Sequence, residues 1–403
     1  MAARGGMVAK DDFPQEFRLV AACCRWPRSD SRVAAVRAAA AAPLDWAKVL
    51  QVARRHRVEG LVHDGLKSAH VDVPAEAAAD LSAEASRIAL QNLLFAAECG
   101  RLARALEAAQ IPHLVLKGLT LNALAYGTLA LKKAWDIDIV IPPAAVARAC
   151  AVLAQAGYER TLPGPEIGPD QFQAWLAASK DMIWTHPAKN IPVELHRDLV
   201  DSPRMLPGIS AETPPQMVEI APGITLPTLP IEPLFAYLCI HGATHAWSRL
   251  KWIGDVAALL AVRSEGEIER LYRASVALGA RRAAGQALLL AERLFTLPLP
   301  PPLKAELERD RKVRWLAALA MGTLLKGEGA KEADLSLLGT VPMHLSQLLL
   351  VPGWRYKGAE MIRKSSSPMD RVEFPLPRRA HFLYPLLVLP LWLWRRARIS
   401  RVR

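Results

Sequence analysis

Residues 135–141 alternate acidic and aliphatic side chains, and this alternation constrains the fold more than any other part of the chain. The side chains of a β-strand point alternately to its two faces. Asp136 and Asp138 would therefore share one face, while the isoleucines between and after them share the other. We predict a strand here, with its aliphatic face packed into the core.

Two carboxylates on one strand face raise each other's pKa, and a divalent cation between them removes the repulsion. Mg²⁺ prefers oxygen ligands and is often held by a few carboxylates together with substrate phosphates. The competing interpretation places Asp136 and Asp138 on the solvent face of an edge strand. For an Asp-x-Asp triplet taken alone, that second interpretation is favoured, because so short a motif occurs often by chance.

The surrounding sequence strengthens the metal interpretation. An apolar run over residues 113–117 predicts a strand, Gly118 follows it, and a helical stretch comes next. A glycine between a strand and a helix lets backbone N–H groups approach a phosphate, and Lys117 adds a positive charge. Residues 191–195 predict another strand, in which Glu194 supplies a third carboxylate. An ordinary turn at Gly118 and a solvated Lys117 remain the alternatives.

Most of the remaining sequence predicts helices. Apolar residues recur at helical spacing over residues 46–58, 81–111, 146–157, 233–260 and about 267–295. Eight prolines within residues 201–233 exclude a long helix and predict a connection with a domain boundary. We predict an α+β fold with four parts: an N-terminal helical region (1–110), a core with the strands (111–232), a C-terminal helical subdomain (233–375) and an apolar, basic tail (376–403).

The net charge of +12 is concentrated at the C-terminus, where residues 351–403 carry twelve Lys or Arg against three acidic residues. The near-neutral remainder argues against a nucleic-acid channel. Residues 381–394 form an uncharged run of 14 residues. As a helix it would reach about 21 Å, too short for a hydrocarbon core of about 30 Å. Peripheral membrane contact and docking on the protein's own core both remain open for residues 376–403.

The five cysteines are odd in number and widely spaced, so neither a disulfide framework nor a thiolate zinc site is predicted. Residues 1–17 contain no apolar stretch of signal-peptide length. We therefore expect a cytoplasmic protein.

Three histidines are candidates for a substrate wall. His241 and His245 are spaced like a zincin pair, but Gly242 stands where a metalloprotease motif needs Glu. A packed structural pair is the favoured interpretation, and a wall facing the metal site is the alternative. His196 could face the same side as Glu194 and orient it, or cap the sheet.

The segments that carry these features resemble the uncharacterised nucleotidyltransferase family of the DNA polymerase beta-like superfamily. The order and spacing agree from about Trp46 to the C-terminal region. The matching segments are Val115-Leu-Lys-Gly-Leu119, Tyr126-Gly127, Leu131-Lys132, Asp136-Ile-Asp-Ile-Val140, Val193-Glu-Leu-His196, His241-Gly-Ala-Thr-His245-Ala-Trp247 and Leu250-Lys-Trp252-Ile-Gly-Asp255.

This resemblance implies a small mixed sheet and a magnesium-dependent nucleotidyltransferase. Asp136, Asp138 and Glu194 would hold Mg²⁺ and carry catalysis, while Lys117, Gly118 and Lys132 would bind the nucleotide. A nucleoside monophosphate would pass from a nucleoside triphosphate, with ATP among the candidates, to a hydroxyl of a small-molecule, sugar or peptide acceptor. Pyrophosphate would be released.

Two departures from the superfamily pattern bear on nucleotide affinity. Lys117-Gly118-Leu119 replaces the usual Gly-Ser, so no serine hydroxyl reaches the phosphates, and Lys132 stands where relatives often carry Arg, without its bidentate fork. A catalytically silent nucleotide-binding or assembly protein is therefore the alternative function. A nucleic-acid polymerase ranks third, because residues 110–200 lack basic residues interleaved with aromatics.

Overall fold

The computed structural model describes residues 13–325, 337–364, 367–374, 376–384, 386–387 and 390, without the side chains of residues 337–342, 378, 381 and 382. Within this part, helices dominate. In chain order they are α1 (Gln15–Cys23), α2 (Asp30–Ala40), α3 (Trp46–His56), α4 (Glu59–Ser68), α5 (Ala75–Ala108), α6 (Leu119–Tyr126), α7 (Val146–Gln155), α8 (Pro169–Ala178), α9 (Ile231–Thr244), α10 (Leu250–Ala261), α11 (Glu265–Ala277), α12 (Arg281–Phe295), α13 (Pro301–Arg309), α14 (Arg311–Leu325), α15 (Leu337–Leu349), α16 (Trp354–Lys364) and α17 (Pro368–Glu373).

The described strands form a five-stranded sheet and a separate hairpin. They are β1 (Leu114–Val115), β2 (Ile137–Val140), β3 (Glu159–Leu162), β4 (Asp181–His186), β5 (Ile191–His196), β6 (Gln216–Ala221) and β7 (Ile224–Thr228). The sheet has the order β1-β2-β5-β4-β3, in which only β2 and β5 run parallel, and β6 pairs with β7. The predicted α+β fold with a small mixed sheet is confirmed.

The central pair of strands behaves as its alternation predicts. On β2 the isoleucines Ile137 and Ile139 are buried, and on β5 Val193 and Leu195 are buried beside them. These side chains pack with buried residues of α5 and α7. The polar residues between them therefore project from the opposite face of both strands.

Three predicted helical segments differ in extent from the observed ones. The segment predicted over about 267–295 is two helices, α11 and α12, because the chain turns between them with a positive φ of 74° at Gly279. The helix predicted over residues 81–111 starts earlier, at Ala75, and runs for 34 residues. The segment 233–260 is two helices, because the chain turns between α9 and α10 with positive φ at Ala246 (49°) and Trp247 (51°). This turn buries Trp247 completely against the end of α9.

The proline-rich segment 201–233 is more than a connection. It contains the hairpin of β6 and β7, which packs against α5, α6 and β1. Gly223 turns the hairpin with φ of 75°. Pro227 is compatible with a strand here because a two-stranded hairpin has free edges. The domain boundaries derived from this segment stay predictions.

No helix in the described part of the chain is long and apolar enough to cross a membrane. The apolar run predicted over residues 381–394 is only partly described. Tyr384 within it is buried, and its hydroxyl donates to the backbone carbonyl of Phe374. Residues 391–403, with Trp392, Trp394 and the terminal arginines, lie outside the described residues.

Candidate functional site

A cavity of about 750 Å³ brings the predicted site residues together. It lies between one end of the sheet and helices α9, α10, α15 and α16. Asp138 is fully buried just behind its surface, at 1% exposure. The other predicted residues all line it: Lys117, Gly118, Lys132, Asp136, Glu194, His196, His241 and His245.

Asp138 is the most buried acidic group of this site. One of its oxygens, Oδ1, lies 2.9 Å from Lys117 Nζ and 3.0 Å from His196 Nε2. The second oxygen, Oδ2, is buried and has no hydrogen-bond partner. A buried carboxylate oxygen without a partner costs free energy, so this atom is chemically available to a ligand that can replace water.

Glu194 joins this group because β2 and β5 pair in register. Asp138 and Glu194 are directly opposed on the parallel strands, and Glu194 Oε2 lies 3.4 Å from His196 Nε2. One ligand atom from each of Asp138, Glu194 and His196 lies within 4.8 Å of those of the other two. In the described residues this cluster meets the spacing of a metal site.

Asp136 directly precedes β2 and lines the cavity. Burial and the negative charge of Asp138 raise its pKa above the usual range, although the nearby Lys117 and Lys251 oppose this. The predicted repulsion between the two aspartates is therefore present in the fold. A cation that bound between them would relieve it.

The carboxylates raise the pKa of their basic partners. Burial alone would lower the pKa of Lys117, but the charges of Asp138 and Asp136 raise it well above its usual value. Burial and Lys180 lower the pKa of His196, and hydrogen bonds to Asp138 and Glu194 more than compensate, so the net shift is upward. Despite burial, the contact with His196 and the charge of Lys117 lower the pKa of Glu194, which keeps it ionised.

Gly118 makes the turn from β1 into α6. Its φ of 68° and ψ of −110° are strained for any residue with a Cβ. The nearest atoms to a Cβ built there would be Asp136 O at 3.7 Å and Ala134 Cβ at 3.9 Å. The start of α6 therefore adjoins the backbone that leads into β2.

Two buried asparagines fix the loop that carries Asp136. Asn92 of α5 donates to the carbonyls of Leu129 (2.5 Å) and Lys132 (2.7 Å) and accepts from the N–H of Ala134 (2.8 Å). Asn122 of α6 donates to the same Lys132 carbonyl at 2.7 Å. These hydrogen bonds attach the loop to α5 and α6.

Lys132 lies in the cavity wall, but its ammonium group is paired with the buried carboxylate of Asp255. Tyr126 donates a second hydrogen bond to Asp255, at 3.0 Å. A phosphate bound here would have to share the Lys132 ammonium group with Asp255. Its nucleotide-binding role stays a prediction.

His241 and His245 form an aromatic wall together with Trp252. The ring centroids of His241 and His245 are 4.8 Å apart, and His245 stacks on Trp252 at 4.9 Å. Gly242 lets Trp247 pack directly on α9, since a Cβ at residue 242 would overlap the indole ring. The histidines are thus packed against an aromatic neighbour and also line the cavity, so the two interpretations of this pair are compatible.

The family model for uncharacterised nucleotidyltransferases matches residues 42–296 of this chain. The chain belongs to the uncharacterised nucleotidyltransferase family. It is accordingly an enzyme that transfers phosphorus-containing groups and has a nucleotide substrate. No protein with a curated description matches the chain. The matched segment contains all seven described strands, whereas α13 to α17 lie beyond it.

Several residues that line this cavity were not predicted from the sequence. Lys180 directly precedes β4 and Asp181 begins it, a strand that was not predicted, and Lys180 Nζ lies 2.7 Å from Asp181 Oδ2. Lys251 lies within the Leu250–Asp255 segment, but its side chain was not recognised as part of the site. The others come from outside the matching segments. These are Arg57, Tyr237, His344, Gln347, Tyr356, Glu360, Arg363 and Lys364.

Proposed function

We propose that the protein is a magnesium-dependent nucleotidyltransferase that moves a nucleoside monophosphate from a nucleoside triphosphate to a hydroxyl group. The acceptor would be a small molecule, a sugar or a peptide, and pyrophosphate would leave. The observation that carries the proposal is the buried, unpartnered Oδ2 of Asp138 beside Glu194 and His196. A divalent cation is the ligand that such an atom fits best.

The donor set suits magnesium. Asp136, Asp138 and Glu194 supply the carboxylate oxygens that this ion prefers, and we assign them as its ligands. His196 contacts both Asp138 and Glu194, so we assign it the task of orienting these carboxylates. The bound metal would neutralise phosphate charge and lower the pKa of the acceptor hydroxyl.

Three residues would each have a distinct role in this transfer reaction. Gly118 lines the cavity where α6 begins, and the N-terminus of a helix favours a phosphate through its backbone N–H groups and its dipole. Lys117, held cationic beside Asp138, adds positive charge to the same corner. Glu194 is half-buried and ionised, so it can accept the proton that leaves the acceptor hydroxyl.

The aromatic wall would hold a planar or apolar part of a substrate. Burial and the charge of Lys117 lower the pKa of His241 well below its usual value, so this ring is neutral at pH 7. The neutral ring of His241, together with the rings of His245 and Trp252, offers faces on which a substrate could stack.

One observation favours the alternative of a nucleotide-binding or assembly protein without catalysis. Lys132 is committed to Asp255, and Leu119 stands where a serine would contact phosphate, so two contacts of the superfamily pattern are missing or blocked. A cytoplasmic location belongs to the same proposal, with peripheral membrane contact through residues 376–403 as the alternative.

Calorimetric titration of each nucleoside triphosphate with Mg²⁺ tests the proposal. The wild type is compared with the Asp136→Ala, Asp138→Ala double variant. A Glu107→Ala, Glu212→Ala variant removes two exposed carboxylates outside the cavity and controls for net charge. We expect Mg²⁺ to strengthen the binding of at least one triphosphate to the wild type and to the control, and to leave the affinity of the carboxylate variant unchanged.

Release of pyrophosphate upon addition of acceptors then distinguishes an enzyme from a silent binding protein. If no triphosphate binds the wild type with Mg²⁺, or if the carboxylate variant binds equally well, the proposed function is wrong.

A further inference from the structure

The cavity holds more positive charge than its own carboxylates neutralise. Four of its basic side chains are paired with acidic groups of the described chain: Lys117 with Asp138, Lys132 with Asp255, Lys180 with Asp181, and Arg363 with Asp201 and Glu360. Four others have no carboxylate within ion-pair distance in the same part of the chain: Arg57, Lys133, Lys251 and Lys364.

Three of these four cations lie at one end of the cavity. The Arg57 guanidinium and the Lys133 ammonium both lie over the Trp135 ring, at 4.1 and 4.5 Å from its centroid. Lys251 Nζ lies 5.4 Å from the centroid of Trp252, and its pKa responds to the charge of Arg57. All three cations are half-buried.

Half-buried cations without counterions are costly, because they lose hydration and repel one another. The lowered pKa of Lys251 reflects this cost. Burial, together with the charges of Arg57, Lys132 and Lys117, lowers its pKa to about 7. The faces of two tryptophans compensate only in part. A ligand that relieves this arrangement must be strongly anionic.

The cluster also adjoins the proposed reaction centre. Ala134, which lies between Lys133 and Trp135 in the sequence, approaches Gly118. Its Cβ lies 3.9 Å from a Cβ built on that glycine. Asp136 follows Trp135 directly in the sequence. Its charge raises the pKa of Lys251, whereas the charges of the neighbouring basic residues lower it. A chain of phosphates running from the Gly118 turn would therefore pass these three cations.

We propose that Arg57, Lys133 and Lys251 form a polyphosphate subsite that binds the triphosphate of the donor and then the pyrophosphate product. This inference rests on the proposed function and adds residues to it. Three cations match the several charges of a polyphosphate better than a single carboxylate or monophosphate. Lys364 is not part of this group, because its charged neighbours are Arg363, Glu360 and Asp201.

Calorimetric titration of inorganic tripolyphosphate into the full chain, at pH 7 with EDTA and no metal, tests the subsite. The variants are Lys133→Gln, Lys251→Gln and Arg57→Asn, the last chosen because residue 57 has a φ of 57° that asparagine tolerates. Lys364→Gln is the matched control, since Lys364 also lines the cavity without a carboxylate within ion-pair distance in the described chain, but its charged neighbours differ from those of Lys251.

We expect the wild type to bind tripolyphosphate without metal. Hydrogen bonds to charged groups contribute about 1.5–3 kcal/mol, so each subsite variant should bind at least about tenfold more weakly. Lys364→Gln should differ from the wild type by less than about twofold. Should Arg57→Asn fail to fold, the two lysine variants still decide the matter.

The test separates this inference from the proposed function. The Asp136→Ala, Asp138→Ala variant should still bind tripolyphosphate without metal, because its cations are intact. If this variant binds tripolyphosphate but Mg²⁺ does not strengthen the binding of any nucleoside triphosphate to the wild type, the polyphosphate subsite is supported and the proposed function is wrong. The subsite itself is overturned if the wild type binds no tripolyphosphate, or if Lys364→Gln weakens binding as much as the other three variants do.

Discussion

Asp138 and Glu194 occupy directly opposed positions on two parallel strands, so their carboxylates leave the sheet on the same face. Their surroundings differ, since Asp138 is completely buried between Lys117 and His196, whereas Glu194 is half-buried. The same pairing that brings the two acids together therefore gives them unequal contributions to stability.

Asp138→Asn should destabilise the fold much more than Glu194→Gln. The first change removes the buried carboxylate that contacts both Lys117 and His196 and should cost about 3–5 kcal/mol. The second alters a half-buried group with one contact at 3.4 Å and should cost less than about 1 kcal/mol. Urea unfolding measures both, and Mg²⁺ titration of the folded variants should show weaker binding for each. Equal stability of the two variants would contradict this account of Asp138.

Lys251→Met should raise the thermal stability of the free protein while weakening polyphosphate binding. The folded pKa of Lys251 is lowered to about 7 by burial and by Arg57, Lys132 and Lys117, against a usual value of 10.5. A lowered pKa means that the lysine opposes folding most below about pH 7, and that this penalty disappears as the pH rises towards 10.5.

Melting temperatures at pH 6 and pH 9.5 measure the effect on both proteins. The gain from Lys251→Met should be larger at pH 6 than at pH 9.5. Lys312→Met, on an exposed position outside the cavity, serves as the control and should show no such pH dependence. A gain that is absent at pH 6 would show that Lys251 is not strained in the free protein.

Gly242→Ala should destabilise the protein even though alanine favours helices. The added Cβ would overlap the Trp247 ring, and such overpacking costs about 1–3 kcal/mol, more than the helical gain of up to about 1 kcal/mol. Gly266→Ala on α11 meets only open space and should be neutral or stabilising. Urea unfolding of the two variants gives the comparison, and a stabilised Gly242→Ala would mean that Trp247 can move away at little cost.

Asn92→Ala should both destabilise the fold and loosen the loop before β2. It removes three buried backbone contacts, and each carbonyl or N–H left unpaired costs about 1–3 kcal/mol. Gln91→Ala is the matched comparison, because Gln91 makes a single partly buried contact to the Ala134 carbonyl at 3.1 Å. Hydrogen exchange of residues 129–136 should accelerate in Asn92→Ala and hardly change in Gln91→Ala.

Strand alternation allowed much of the central fold to be predicted from sequence. The period of two in residues 135–141 and 191–196 placed Asp138 and Glu194 on neighbouring strands, and their parallel pairing is now seen. These features depend on residues close together in the sequence.

Other features depend on contacts that local sequence does not encode. The break between α9 and α10 follows from burial of Trp247, and β4 enters the sheet between β5 and β3 without a strong pattern of its own. The partnership of Lys132 with Asp255 joins residues 123 positions apart. The shortage of carboxylates around Lys251 could be seen only once the cavity was complete.

The wall of the cavity opposite the strands comes from α15 and α16, which lie outside the segment matched by the family model. The carboxylates of the site and these two helices thus belong to separate stretches of the chain. A substitution confined to α15 or α16 would therefore alter one wall of the cavity while leaving Asp136, Asp138 and Glu194 in place.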